Sequence, residues 1–221
     1  MRERPILFST EMVKAILESR KTQTRRVIKN YTYEDNLNSD VRCPYGQVGD
    51  RLWVRETFVL ESDEEYQDES FYYLVTDRPI KTIPEEGEYG SYHLIPHYRA
   101  TEPEPNIVTD KQDDEFTRWR PSIFMPRWAS RITLEITDIR VQRVQEISQS
   151  DAIAEGLIFM GGMADNWDEA PWCASLKDQE PMKYPSAAYG RLWDSINAKR
   201  GYGWDKNPWV WAISFKVLKN E

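Results

Sequence analysis

The apolar positions of this chain fall into short runs of period two, interrupted by a few stretches at helical spacing. Pro5-Ile-Leu-Phe8 reads as a strand. Ser9 or Thr10 then caps a helix with Glu11 in its first turn. Met12, Val13, Ile16 and Leu17 give that helix one apolar face, and it ends near Ser19. The segment Arg20-Lys21-Thr22-Gln23-Thr24-Arg25-Arg26 follows as an extended or turning stretch; taken alone, it reads as a solvated basic turn. After a polar loop over Asn30–Asp40 and a Gly/Pro turn over Cys43–Asp50, Arg51–Phe58 is a strand. Leu52, Val54 and Phe58 alternate with Arg51, Arg55 and Thr57, while Trp53 and Glu56 break the alternation, so its second face is not plain solvent.

Further along, Ile132, Leu134 and Ile136 share one face of a strand within Ala129–Arg140, and a change of phase to Ile139 and Val141 marks a bulge or bend. Ser148-Gln-Ser-Asp151 is a capping box for a short helix that Gly156 closes. Ser186 opens another helix, with Tyr189, Leu192, Trp193 and Ile196 on one face. The clearest strand is the last, where Trp209, Trp211, Ile213, Phe215 and Val217 alternate. Two stretches fit no such pattern, at about 61–116 and 160–185, and both read as insertions; within the first only Phe71–Val75 and Ile95–Ala100 are strand-like. Arg118–Trp128, rich in Arg, Trp and Pro, reads as an ordered surface loop. The pattern predicts an α+β class: a small mixed β-barrel with flanking helices, one domain over 1–221 carrying both insertions.

Composition narrows the function classes. The net charge of −8 hides two opposed regions. Glu61–Gly90 holds ten acids and two bases, so the rest sums to zero; Arg20, Lys21, Arg25, Arg26 and Lys29 form an acid-free basic stretch. Such a patch suits a phosphate or a short nucleic-acid segment rather than strong non-specific binding. Nothing approaches the run of about 18 apolar residues that spans a membrane, and no apolar signal region follows the N-terminus, so a cytoplasmic location is expected. Two cysteines, Cys43 and Cys173, make no disulfide framework. With His93 and His97 the only histidines, and Pro96 between them, no metal site is expected, and no cofactor.

Four of these segments, in order, resemble a known family. Ser19-Arg-Lys-Thr-Gln-Thr-Arg-Arg26 after an N-terminal helix resembles the opening motif of ASCH domains. Gly49-Asp-Arg-Leu-Trp-Val-Arg-Glu56 looks like the family's strand entry, Ile147–Gly156 its short helix and Trp209–Val217 its closing strand. The layout is similar to phage and prophage ASCH proteins with insertions. The resemblance implies a PUA-like barrel with RNA or a nucleoside as its partner. By similarity to the family's bacterial N(4)-acetylcytidine amidohydrolases, it also implies Lys21 as proton acceptor, Thr24 as nucleophile and Glu155 as proton donor, without metal.

The chemistry is coherent by itself. A threonine hydroxyl needs a neighbour to take its proton. Lys21 serves if burial and the charges of Arg20, Arg25 and Arg26 disfavour its ammonium form. Glu155 faces the negative end of a helix dipole, an arrangement that costs about 0.3–1 kcal/mol and is out of place unless it has a use. Trp53, Trp119 and Trp128 offer stacking surfaces or core packing. Arg118, Arg120, Arg127 and Arg131 reach either phosphate or the acidic insertion. Glu56 either lines a pocket or pairs with an arginine of the basic segment. Together with the resemblance, these residues imply an amidohydrolase acting on an N4-acylated cytidine or related base. The alternatives are a non-catalytic RNA or modified-base binding module, a ribonuclease, or a phage protein that binds a host partner through its acidic insertion.

Overall fold

A computed structural model describes residues 1–29, 42–62, 94–101, 119–161, 172–174 and 182–218. The Asn30–Asp40 loop, the Phe71–Val75 strand, nearly all of the acidic window, Arg118 and most of the second insertion lie outside these residues. In order the elements are β1 (Glu3–Leu7), α1 (Thr10–Leu17), β2 (Gln23–Val27), β3 (Arg51–Arg55), β4 (Phe58–Ser62), β5 (Leu94–Tyr98) and β6 (Thr133–Arg143). They continue with α2 (Gln149–Ala154), β7 (Ile158–Phe159), β8 (Trp172–Cys173), α3 (Pro185–Asn197) and β9 (Trp209–Leu218). A five-stranded sheet has the order β1-β3-β6-β9-β2, and β4-β5 and β7-β8 form two-stranded ladders. The class is mixed α+β. Among the described residues the large sheet has two ends, β1 and β2, where a closed barrel is expected from the sequence. No helix among them is long and apolar enough to cross a membrane.

The chain divides into two compact units, one drawn from Met1–Arg4, Ala15–Leu52 and Leu134–Lys219, the other from Pro5–Lys14 and Trp53–Thr133. In the first, β2 runs antiparallel to β9, with Gln23 opposite Ser214, Thr24 opposite Ile213 and Arg25 opposite Ala212. The strict alternation of β9 predicts one buried face; instead Val210, Trp211, Ala212 and Ile213 are all buried. Val210 belongs to a cluster with Ala188, Tyr189 and Trp193 of α3 and Ala152 of α2, so the second face is covered as well. α3 begins at Pro185, one residue before the predicted start, because proline suits the first helical position where its missing N–H is no loss.

In the second unit Phe58, Leu60, Met125 and Ala129 form one buried cluster, with Tyr98 and Trp128 packed against it. The expected surface loop at 118–128 is built from two 3-10 turns, Ser122–Phe124 and Arg127–Ala129. Met125 between them is fully buried, while Ile123 and Phe124 stay exposed. The anticipated strand Arg51–Phe58 breaks at Glu56 and Thr57 into β3 and β4.

Ile213 is fully buried while Val217 on the same strand is 45% exposed. Ile213→Ala is expected to destabilise the protein by about 2–5 kcal/mol, and Val217→Ala by no more than about 0.5 kcal/mol. Urea unfolding of both variants checks the contrast.

Candidate functional site: a buried charge cluster on β2 and α2

α1 ends at Leu17, and Ser19, with φ of 59°, turns the chain back. The Ala15 carbonyl accepts from the backbone N–H of both Arg20 (2.8 Å) and Lys21 (2.9 Å). That turn delivers Lys21 into an antiparallel bridge with Glu155, and the Thr22 N–H donates to the Ala154 carbonyl at 2.8 Å. Glu155 is the residue after α2, whose N-terminus is capped by the Ser148 hydroxyl accepting from the Asp151 N–H at 3.0 Å. Gly156 then leaves the helix with φ 97°. A Cβ at Gly156 would stand 2.9 Å from Ala15 Cβ and 3.1 Å from Lys21 Cβ, so only glycine lets these segments meet.

The side chains converge on one carboxylate. Lys21 Nζ donates to Glu155 Oε2 at 2.7 Å and to the Glu155 carbonyl at 2.9 Å. Arg25 Nη1 donates to Glu155 Oε1 at 2.9 Å and to Gln23 Oε1 at 2.6 Å, and its Nη2 donates to Asp151 Oδ2 at 3.0 Å. Gln23 Nε2 donates to Ser214 Oγ at 3.0 Å and to Asp151 Oδ1 at 3.3 Å. Arg140 Nη2 reaches the same Asp151 oxygen at 3.1 Å from a largely exposed position. The Arg25 guanidinium lies 5.7 Å from the centroid of the Tyr189 ring. Lys21 is 0% exposed and Glu155 4%.

Desolvation by burial pushes the Lys21 ammonium below the ordinary lysine range, against the pull of Glu155; Arg26 and Arg25 act in the same direction as burial. Burial and the neighbouring Glu155 carboxylate push the Tyr189 phenol well up.

The solvated basic turn anticipated for this segment is therefore a buried one: Lys21, Gln23, Thr24 and Arg25 are all buried, because cations at Lys21 and Arg25 meet anions at Glu155 and Asp151. Lys21 and Glu155, 134 residues apart, are brought into direct contact. Thr24 is buried opposite Ile213, and the pleat sends it to the face away from Gln23 and Arg25. Arg26 shares the Thr24 side of the strand, opposite Trp211. Arg20 turns its guanidinium to Glu18 and to the Gly156 carbonyl. The dipole penalty expected at Glu155 is offset by the two cations on its carboxylate.

The remaining candidates belong to the second unit. Glu56 is 1% exposed and its two oxygens accept from Arg131 Nε and Nη2, each at 3.0 Å. It pairs with this arginine rather than with one of the basic segment. Burial pushes the Glu56 carboxyl above its usual range, and Arg131 opposes that. The Arg131 guanidinium also stacks 4.0 Å from the Tyr98 ring centroid. Trp53 is buried, with the Arg55 guanidinium 4.7 Å from its ring. Arg127 is exposed, and Trp119 and Trp128 are half-buried.

Asp151, Gln23 and Tyr189 were not among the candidates drawn from sequence. Asp151 stood only as a capping residue, and Tyr189 only as one apolar position of a helix face. Their positions on the exposed side of a cap and on an amphipathic face carry no trace of a partner 126 residues away.

No family model and no curated protein matches the chain. One solved structure is similar, a crystal structure of an Enterococcus faecalis protein described with the family model DUF984. It shares 11% identity at a TM-score of 0.40, covering 99% of this chain and 81% of that one. Function is accordingly read from the side chains themselves.

Gly156→Ala is expected to lower stability by at least about 1 kcal/mol, since it adds both φ strain and a crowded methyl; a lowered urea midpoint at unchanged slope checks it. Arg131→Ala leaves the Glu56 carboxylate buried alone. Because Arg131 is 26% exposed, the loss is set below that of a fully buried pair, at about 2–3 kcal/mol near neutral pH. The variant's Glu56 holds its proton in the folded state after the unfolded chain has released it. Stability therefore falls as pH rises above about 4.5, through the raised folded value. Denaturant unfolding at acidic and neutral pH should show the deficit widening with pH.

Proposed function

We propose that the protein is a metal-free amidohydrolase acting on an N4-acylated cytidine or a related modified base, built on an ASCH-type, PUA-like barrel. The observation that carries this reading is the buried Lys21–Glu155 contact. A lysine whose ammonium is disfavoured by burial is better fitted than an ordinary one to act as a general base. Arg25 on the second oxygen of Glu155 balances that carboxylate's charge while Lys21 is neutral. In the proposed reaction, Thr24 Oγ1 bonds to the acyl carbon as its proton passes to Lys21 Nζ, which requires the bound substrate to draw Thr24 from the face it takes in the strand. The C–N bond then breaks as a proton reaches the exocyclic amine through Glu155. Water hydrolyses the resulting threonine ester and restores the hydroxyl. Since Lys21 is fully buried, the substrate amide must take the place of one of its contacts with Glu155.

That same complete burial favours a second reading, in which the ion pairs only fasten β2 to α2 and the domain recognises RNA or a modified base without chemistry. A host-protein partner bound through the acidic insertion falls on residues outside those described, and a cytoplasmic location remains part of the proposal.

Incubation with N(4)-acetylcytidine and chromatography for cytidine separates the two readings. The wild type is expected to release cytidine, with Lys21→Ala and Thr24→Ala at least about a hundredfold slower. The rate should rise with pH along a limb below the 10.5 of an ordinary lysine. Wild type and Lys21→Ala equally inert over a panel of acylated nucleosides would sink the enzyme. RNA binding that weakens with salt and with Arg26→Ala would then support the module.

A further inference from the structure

The contacts around Lys21 form a chain of alternating charge. It runs from Arg140 on β6 to Asp151 on α2, to Arg25 on β2, to Glu155 after α2, and ends at Lys21. Side-chain exposure drops from 44% at Arg140 to 18% at Asp151 and is no more than 3% at Arg25, Glu155 and Lys21. Arg25 occupies the middle. Its rigid fork grips Glu155 with one terminal nitrogen and Asp151 with the other, so it cannot shift on one without disturbing the other. Gln23 locks the arrangement from the same strand, accepting from Arg25 and donating to Asp151.

We infer that Arg25, held by Asp151, is a positioning residue that fixes the Glu155 carboxylate and thereby governs the orientation and proton affinity of Lys21. Every charged group around Lys21 enters this balance. Burial disfavours the ammonium and Glu155 favours it; Arg26 and Arg25 on β2 also disfavour it. Tyr189 of α3 touches the balance through Glu155, whose carboxylate helps push its phenol up. Removing the Arg25 charge leaves Lys21 as the principal cation on Glu155, and the ammonium becomes easier to keep. Removing the Asp151 charge leaves Arg25 serving Glu155 alone, in surroundings more positive by one charge, and the ammonium becomes harder to keep.

The consequence for catalysis rests on the hydrolase reading, but the arrangement can be tested without it. In protein labelled at lysine with 13C and 15N, the Lys21 side-chain signal is assigned by its loss in Lys21→Arg and titrated in wild type, Arg25→Gln, Arg25→Lys and Asp151→Asn. The expected result is a Lys21 titration displaced to higher pH in Arg25→Gln, returned toward wild type by the charge in Arg25→Lys, and displaced to lower pH in Asp151→Asn. If cytidine release is measurable, its pH limb moves with the signal, and the Arg25→Gln rate at neutral pH falls about tenfold for each unit of displacement. A displaced titration in a protein that hydrolyses nothing would uphold Arg25 and discard the enzyme. An unmoved titration in folded Arg25→Gln or Asp151→Asn overturns the inference whatever the activity.

Discussion

The Glu155 carboxylate, shared between Lys21 and Arg25 away from water, is the constraint to which the rest of the first unit is fitted. Taking three charged side chains out of solvent is unfavourable unless each finds its partners at good geometry, and removing one partner leaves an uncompensated charge. The backbone accordingly holds all three positions by its own hydrogen bonds. The left-handed residue Ser19, the doubly used Ala15 carbonyl and the Lys21–Glu155 bridge set one side. The Ser148 cap and the left-handed Gly156 set the other. The cluster is thus the meeting point of a helix exit, a strand start and a helix end, each held by its own local hydrogen bonds.

The second unit handles a buried acid differently. Glu56 has a single arginine, and that arginine is partly exposed and stacked on Tyr98. One bidentate pair against an aromatic face is self-contained, with both carboxylate oxygens satisfied by one fork. Glu155, by contrast, divides its oxygens between two different cations, Lys21 and Arg25. Glu56 is thus balanced by a permanent cation, whereas part of the balance at Glu155 rests on an ammonium that burial disfavours.

Local signals were legible where a single element carried them. The helix after Ser9, the short helix before Gly156, the helix from about Ser186 and the closing strand all follow from periodicity, caps and Gly or Pro positions within a few residues. The pairing of Lys21 with Glu155 was legible only through the resemblance, since nothing in either segment names the other. Period-two patterning also concealed that β9 is covered on both faces: Val210 and Ala212 look like lesser residues between large ones, yet both are fully buried. The basic segment misled for a related reason. A run of cations reads as solvent-facing until the acids that neutralise it are known, and here they come from α2, more than a hundred residues later. Which arginines remain for a ligand was for the same reason out of reach.

The separation between those partners bears on how the protein assembles. Gln23 pairs with Ser214 across 191 residues, and Lys21 with Glu155 across 134. Contacts of such span reward the chain only after the long stretch between the partners has been made and its closure entropy met, and they belong to slow steps of folding. During synthesis β2 must wait for β9, with Lys21 and Arg25 kept hydrated by their charges instead of buried. The same cations that later lie in the interior thereby keep an unpaired strand soluble until its neighbour arrives, a protection that an apolar strand in that position would lack.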